Sequence, residues 1–101
     1  MASLSGKTAI ITGGSTEIAS AVALKLAEAG ANICLCGRQA DLLAMAVDRV
    51  KQAGGKGFFV ESNLKSLEEA EGVVNQTKAE FGGVDIWILI SRFWSGGMIH
   101  S

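Results

Sequence analysis

Apolar residues in this chain form short β-branched runs that alternate with longer segments of helical spacing. Four short runs predict strands: residues 8–12, 32–36, 58–60 and 85–90. Three segments with apolar residues every three or four positions predict helices: residues 15–29, 40–53 and 66–81. The last run is apolar without interruption from Ile86 to Ile90, a pattern typical of a strand buried on both faces.

Local signals support the three predicted helices. Ile18, Val22 and Leu26 are spaced to share one face of the first helix, which Gly30 closes. In the third helix, Ser66-Leu67-Glu68-Glu69 is a capping-box pattern, in which the serine hydroxyl and the glutamate carboxylate satisfy free amides at the helix start. Gly82-Gly83 ends that helix.

The alternation of strands and helices predicts one small α/β domain with a parallel sheet. Right-handed crossovers leave a doubly wound, Rossmann-like arrangement with strand order 3-2-1-4 as the natural solution. We expect the first two helices on one face of this sheet and the third helix on the other, because the third crossover reverses direction past the first strand.

Composition narrows the function classes. The 101 residues carry a formal net charge of −1 and no basic stripe, which argues against a nucleic-acid partner. The run from Ile86 to Ile90 is too short to cross a bilayer, so we expect no membrane insertion and a cytoplasmic location. Cys34 and Cys36 lie on one face of a predicted strand and are expected to be buried free thiols. With His100 as the one histidine, no metal site is predicted.

The most specific motif lies between the first strand and the first helix. The turn Thr12-Gly13-Gly14-Ser15-Thr16-Glu17-Ile18-Ala19 resembles the TGxxxGxG turn of the short-chain dehydrogenase/reductase family. Matching features follow at Cys36-Gly37-Arg38, at Asn63-Leu64 and at Phe81-Gly82-Gly83-Val84-Asp85-Ile86, so the resemblance covers residues 4 to about 90. Such a turn directs backbone amides and a helix N-terminus towards a pyrophosphate.

The resemblance implies a dinucleotide cofactor and a set of residues that hold it: Thr12, Gly13, Ser15, Thr16, Ile18, Arg38, Asn63 and Leu64. No carboxylate follows the second strand until Asp41, and Arg38 can pair with a 2′-phosphate, which favours NADP(H) over NAD(H). Asn63 can hydrogen-bond a purine edge, and Leu64 would flank the ring. The alternative is structural: the turn only connects two elements, Arg38 is a solvated side chain, and Asn63 and Leu64 are ordinary loop residues.

Two positions depart from the family pattern. Glu17 stands where the family has its second glycine and brings a negative charge near the expected pyrophosphate, so we expect weakened cofactor binding. Alternatively, Glu17 points outward as a helix-start carboxylate, and binding survives in weakened form. Ala19 replaces the third glycine and is expected to crowd the helix against the strand.

The family's catalytic features lie beyond the matched region. Leu89-Ile90-Ser91-Arg92 stands where the family has an NNAG motif, and the sequence contains no tyrosine, which is the family's general acid/base. We therefore assign no catalytic residue and expect the chain to be inactive alone: residues 1–90 form a partial cofactor-binding domain, truncated after the fourth strand, and residues 91–101 a tail that is disordered or folds back.

Without further strands, the fourth strand would lie at an edge of the sheet. An exposed apolar edge favours pairing with another chain, and Phe93 and Trp94 add aromatic surface. Self-association or pairing with a full-length relative is therefore expected. A noncatalytic interaction protein and a degenerate product without a selected function are the alternatives to a cofactor-binding fragment.

Overall fold

Strands and helices alternate along the described part of the chain, as predicted. The fold is taken from a computed structural model that describes residues 3–13 and 17–90. Its elements are β1 (Thr8–Thr12), α1 (Glu17–Glu28), β2 (Asn32–Gly37), α2 (Ala40–Gln52), β3 (Lys56–Glu61), α3 (Leu67–Phe81) and β4 (Ile86–Leu89). The predicted tail lies outside the described residues, as do Phe93 and Trp94.

The strands form one parallel sheet in the order β3-β2-β1-β4, which confirms the predicted topology. β1 is central: Ala9 aligns with Ile33 of β2 on one side and with Ile86 of β4 on the other. The chain reverses direction between β3 and β4, and a ligand crevice in such sheets opens at the carboxyl ends of the strands on either side of this reversal.

The helices lie on the two faces of the sheet as expected. Ile11 and Ile33 are fully buried on the face that packs against α1 and α2. Their neighbours Ile10 and Cys34 point to the opposite face and pack with Val73 of α3. This alternation follows from the two-residue period of a strand, and each fully buried isoleucine stabilises the fold by about 2 kcal/mol.

The buried face of α1 differs from the predicted one. Ala19, Ala23 and Ala27 lie against the sheet, with Val22 and Leu26 partly buried beside them. Ile18, expected on the buried face, is 65% exposed. The prediction was wrong because it ranked side chains by hydrophobicity, whereas close approach of helix and sheet selects the small residues for the contact.

β4 is the outer strand on the β1 side of the described sheet. Ile86 and Ile88 pack against the α1 and α2 face, but Trp87 is 39% exposed and Leu89 is 73% exposed. A strand buried on both faces, as its apolar run predicts, is therefore not observed within the described residues. Among the described strands α3 packs mainly over β2, and β4 lies two strands away from β2 in the sheet.

The third helix is capped at both ends. Ser66 is its N-cap, and its Oγ accepts a hydrogen bond from the backbone amide of Glu69 at 3.2 Å. Gly82 ends it in the left-handed conformation with φ 93°. The capping box also predicts that the Glu69 carboxylate accepts a hydrogen bond from a free amide at the helix start. This part of the prediction is wrong, since the carboxylate accepts a hydrogen bond from Ser62 Oγ at 3.0 Å instead.

Candidate functional site

A cleft of about 520 Å³ opens at the carboxyl ends of the strands. Residues at the ends of β1, β2 and β4 and in the loop after β3 line it: Thr12, Gly13, Cys36, Gly37, Arg38, Ser62, Asn63, Leu64, Lys65, Leu89 and Ile90. This is the edge of the sheet at which the crossover reversal predicts a ligand site.

Five residues singled out in the sequence line this cleft: Thr12, Gly13, Arg38, Asn63 and Leu64. Ile18 lies exposed in the first turn of α1 and is not among the lining residues. Ser15 and Thr16 lie outside the described residues. The fold thus brings together residues that are up to 52 positions apart in sequence, from Thr12 to Leu64.

The turn after β1 requires glycine at position 13. Gly13 has φ +72°, and a Cβ atom there would lie 2.5 Å from the carbonyl oxygen of Ile90. Beside it, Thr12 Oγ1 donates a hydrogen bond to the carbonyl of Ile88 at 3.3 Å. The end of β1 is therefore held tightly against the end of β4, with no room for a side chain between them.

Two cations line the cleft, Arg38 after β2 and Lys65 after Leu64. Both side chains are exposed, and neither Asp nor Glu occurs among the described lining residues. In the described part of the chain, no carboxylate lies within ion-pair distance of Arg38. Both cations are thus free to face an anionic ligand in the cleft.

The loop after β3 has a fixed backbone. Ser62 N donates to the carbonyl of Gly37 at 2.8 Å, which holds the loop against the end of β2. Leu64 N donates to Ser62 Oγ at 3.1 Å, and Leu64 adopts φ 55°, a conformation rare for a leucine. Asn63 between them is exposed, while Leu64 is partly buried.

The two departures from the family turn have different surroundings. Glu17 is exposed at the first turn of α1, where the helix dipole favours a negative charge. Ala19 is fully buried against the sheet, so the fold accommodates its methyl group.

Sequence inspection missed Ser62 and Lys65 as lining residues. Both follow β3 directly, beside Asn63 and Leu64, and the rule that ligands bind at the carboxyl ends of parallel strands would have included them. Gly37, Leu89 and Ile90 line the cleft for the same reason, as strand ends.

The cysteines are buried and free, as predicted. Burial raises the pKa of Cys34. Burial first, and then proximity to Cys34 and to the carboxylate of Glu69, raises the pKa of Cys36 to about 11. Both thiols are therefore neutral near pH 7 and poor nucleophiles. Within residues 3–13 and 17–90, no group of histidine, cysteine and carboxylate side chains is arranged to hold a metal ion.

None of the described helices is long and apolar enough to cross a membrane.

The groups that line the cleft are suited to binding a ligand: a glycine turn, two cations, the exposed side-chain amide of Asn63 and an apolar wall. A phosphate-bearing ligand with a flat ring fits this set of groups.

Comparison with known proteins agrees with this geometry. A family model described as short chain dehydrogenase matches residues 7–91. The chain belongs to the short-chain dehydrogenase family. Membership in this oxidoreductase family implies a nicotinamide dinucleotide cofactor.

Individual proteins are similar to most of this chain, among them a short chain dehydrogenase. One from Pseudocercospora fijiensis is 39% identical over 88 residues, which are 87% of this chain and 28% of that protein. The crystal structure of a hydroxysteroid dehydrogenase from Escherichia coli superposes with a TM-score of 0.81 at 32% identity, over 86% of this chain and 37% of that one. An NAD+-bound xylitol dehydrogenase has a TM-score of 0.79 at 30% identity, over 83% and 32% of the two chains.

The chain thus spans little more than a third, at most, of the length of these three relatives. The similarity covers the sheet, the helices and the cleft described above. It supports the predicted family and fold, with the four parallel strands in the family's arrangement.

Proposed function

We propose that this chain is the dinucleotide-binding part of a short-chain dehydrogenase and that its cleft binds NADP(H) in preference to NAD(H). The observation that carries the proposal is the placement of Arg38 and Lys65 in the lining of a cleft whose described residues include no carboxylate. NAD(H) recognition commonly uses a carboxylate at the end of the second strand to accept hydrogen bonds from the ribose hydroxyls, and this position holds Gly37 and Arg38.

Each part of the cofactor has a matching group among the lining residues. The turn at Thr12 and Gly13 brings backbone amides and the start of α1 towards the pyrophosphate. Arg38 pairs with the 2′-phosphate, Asn63 hydrogen-bonds the purine edge, and Leu64 packs on the ring. When bound, the cofactor would donate the hydride in a reduction and accept it in an oxidation.

Glu17 sets the expected strength of binding. Its carboxylate lies exposed at the helix start that would face the pyrophosphate, so part of the attraction of that helix end is offset by repulsion. The proposal is therefore a cleft that binds the cofactor with reduced affinity.

We propose further that this chain performs no hydride transfer alone. Its sequence holds no tyrosine to act as general acid/base. Residues 1–90 form the cofactor-binding unit, and the location is cytoplasmic.

Calorimetric titration with NADPH and with NADH, on the chain and on Arg38→Ala, tests the cofactor proposal. The chain should bind NADPH more tightly, and Arg38→Ala should lose about tenfold in affinity for NADPH with little change for NADH, because one charge-assisted contact is lost. Arg49→Ala is the matched control, since Arg49 is exposed on α2 and bonds Ser20 outside the cleft. No heat with either nucleotide, in a folded sample, would refute cofactor binding.

A second candidate function rests on the exposed apolar side chains of β4. Trp87 and Leu89 expose apolar surface at the edge of the described sheet, a template for pairing with a second copy or a full-length short-chain dehydrogenase. Co-expression with such a relative tests this function. Stable co-purification supports it, and separate elution of the two proteins rejects it.

A further inference from the structure

A chain of hydrogen bonds connects the first turn of α3 with the loop that carries Asn63 and Leu64. From it we infer that Glu69 is a positioning residue for recognition of the cofactor's purine and acts through Ser62. The inference rests on the proposed dinucleotide function and assigns a role to a residue that does not line the cleft.

The hydroxyl of Ser62 has two defined partners. It donates its proton to Glu69 Oε1 at 3.0 Å and accepts the amide proton of Leu64 at 3.1 Å. A serine hydroxyl rotates freely unless its proton is committed to an acceptor. The carboxylate of Glu69 therefore fixes the proton, and the lone pairs of the oxygen remain directed at the amide of Leu64.

The amide of Leu64 needs such an acceptor. Leu64 has φ 55°, and it is the one residue other than glycine with positive φ in the described part of the chain. This conformation is disfavoured for a leucine and persists where surrounding contacts hold it. The hydrogen bond from Leu64 N to Ser62 Oγ is the contact that closes this turn.

Both ends of the connection are anchored. Ser62 N donates to the carbonyl of Gly37 at 2.8 Å, one residue before Arg38. Glu69 N donates to the N-cap Ser66 at 3.2 Å, which fixes the glutamate in the first helical turn. The turn at Asn63 is thus held between the end of β2 and the start of α3.

This arrangement separates the role of Glu69 from that of its neighbour. Glu68 lies in the same first turn, is exposed and gives the helix N-terminus the same negative charge. Among the described residues it makes no hydrogen bond to Ser62. Removal of Glu68 therefore changes the charge of the helix start without releasing the loop.

The test uses adenosine 2′,5′-bisphosphate, which carries the purine and the 2′-phosphate, as the probe in a calorimetric titration. Glu69→Ala should bind it about fivefold more weakly than the unchanged chain, because a disordered loop must be ordered on binding. Glu69→Gln keeps an acceptor oxygen and should restore most of the affinity. Glu68→Ala should bind like the unchanged chain.

Amide hydrogen exchange distinguishes a local release of this loop from a loss of overall stability. In Glu69→Ala and in Ser62→Ala, the amide of Leu64 should lose protection while the amides of β1 and β2 keep theirs. Thermal unfolding of each variant verifies that it is folded.

The outcomes are distinct. If the unchanged chain does not bind the bisphosphate, the proposed function fails, and the inference with it. If the unchanged chain binds and Glu69→Ala binds equally well, or if Glu68→Ala weakens binding as much as Glu69→Ala, the positioning role alone is rejected.

Discussion

Gly13 and Leu64 show how single residues shape the cleft. Both have positive φ, but Gly13 is a glycine whose position in a strand-to-helix turn marks it in the sequence. Nothing in the letters Asn63-Leu64-Lys65 indicates a left-handed leucine, because that conformation depends on the hydroxyl of Ser62 and on Glu69, seven residues further along. The glycine turn could be predicted, whereas the loop geometry needed the tertiary structure.

Gly13→Ala should destabilise the fold by about 3 kcal/mol, because it adds a close contact with the Ile90 carbonyl to the cost of a positive φ. Gly6→Ala is the control: Gly6 has φ +81°, and a Cβ there meets nothing within 4 Å. It should cost about 1 kcal/mol, from strain alone. Urea denaturation measures both. Equal losses would show that the contact between Gly13 and Ile90 contributes nothing.

The residues that line the cleft were predicted in part. Arg38 and Asn63 follow strand ends, and strand ends are recognisable from the apolar runs, so their common location at one edge of the sheet followed from the topology. Lys65 was missed because the prediction took from this loop only the two residues that match the family, although the strand-end rule also includes their neighbour. Ile18 does not line the cleft, since its helix turns it towards solvent.

Helices and strands followed the predicted pattern wherever one face was clearly apolar. In α2, Leu43, Val47 and Val50 are buried as their spacing indicated. In α1 the pattern was ambiguous, since alanine and larger apolar residues occur on adjacent faces, and packing distance decided in favour of Ala19, Ala23 and Ala27. The distance between helix and sheet cannot be predicted from hydrophobic periodicity alone.

Ala23→Leu should therefore destabilise the protein by about 2 kcal/mol or more, because Ala23 is fully buried where α1 contacts the sheet and extra methyl groups force the elements apart. Ala21→Leu, on the exposed side of the same helix, should change stability by less than about 0.5 kcal/mol. Thermal unfolding of the two variants makes the comparison. A tolerated Ala23→Leu would mean that this interface is loosely packed.

For the molecule as a whole, strand order was predictable because few topologies satisfy right-handed, uncrossed connections. The exposure of individual β4 side chains was not, since it depends on which part of the sheet α3 covers. The outcome is a described sheet with one well-covered face and, on the other face, an apolar area at Trp87 and Leu89.

Self-association through this area is the consequence we expect at tens of micromolar protein. Size-exclusion chromatography with light scattering should show species larger than the 10.5 kDa chain, and Trp87→Lys should shift them towards monomer. Leu67→Lys is the control, since Leu67 is 75% exposed at the start of α3 and lies on a different element. A monodisperse monomer for the unchanged chain would contradict this expectation.

The central claim is that a dinucleotide binds at the carboxyl edge of the sheet, and NMR titration of the ¹⁵N-labelled chain with NADP+ tests it most directly. Saturable shifts should be largest at the amides of Gly13, Arg38, Asn63 and Leu64, which line the cleft. The amides of Gly55 and Lys56, beside a cavity at the opposite edge, should stay unchanged. Shifts centred on Gly55 and Lys56, or none in a folded sample, would contradict the account.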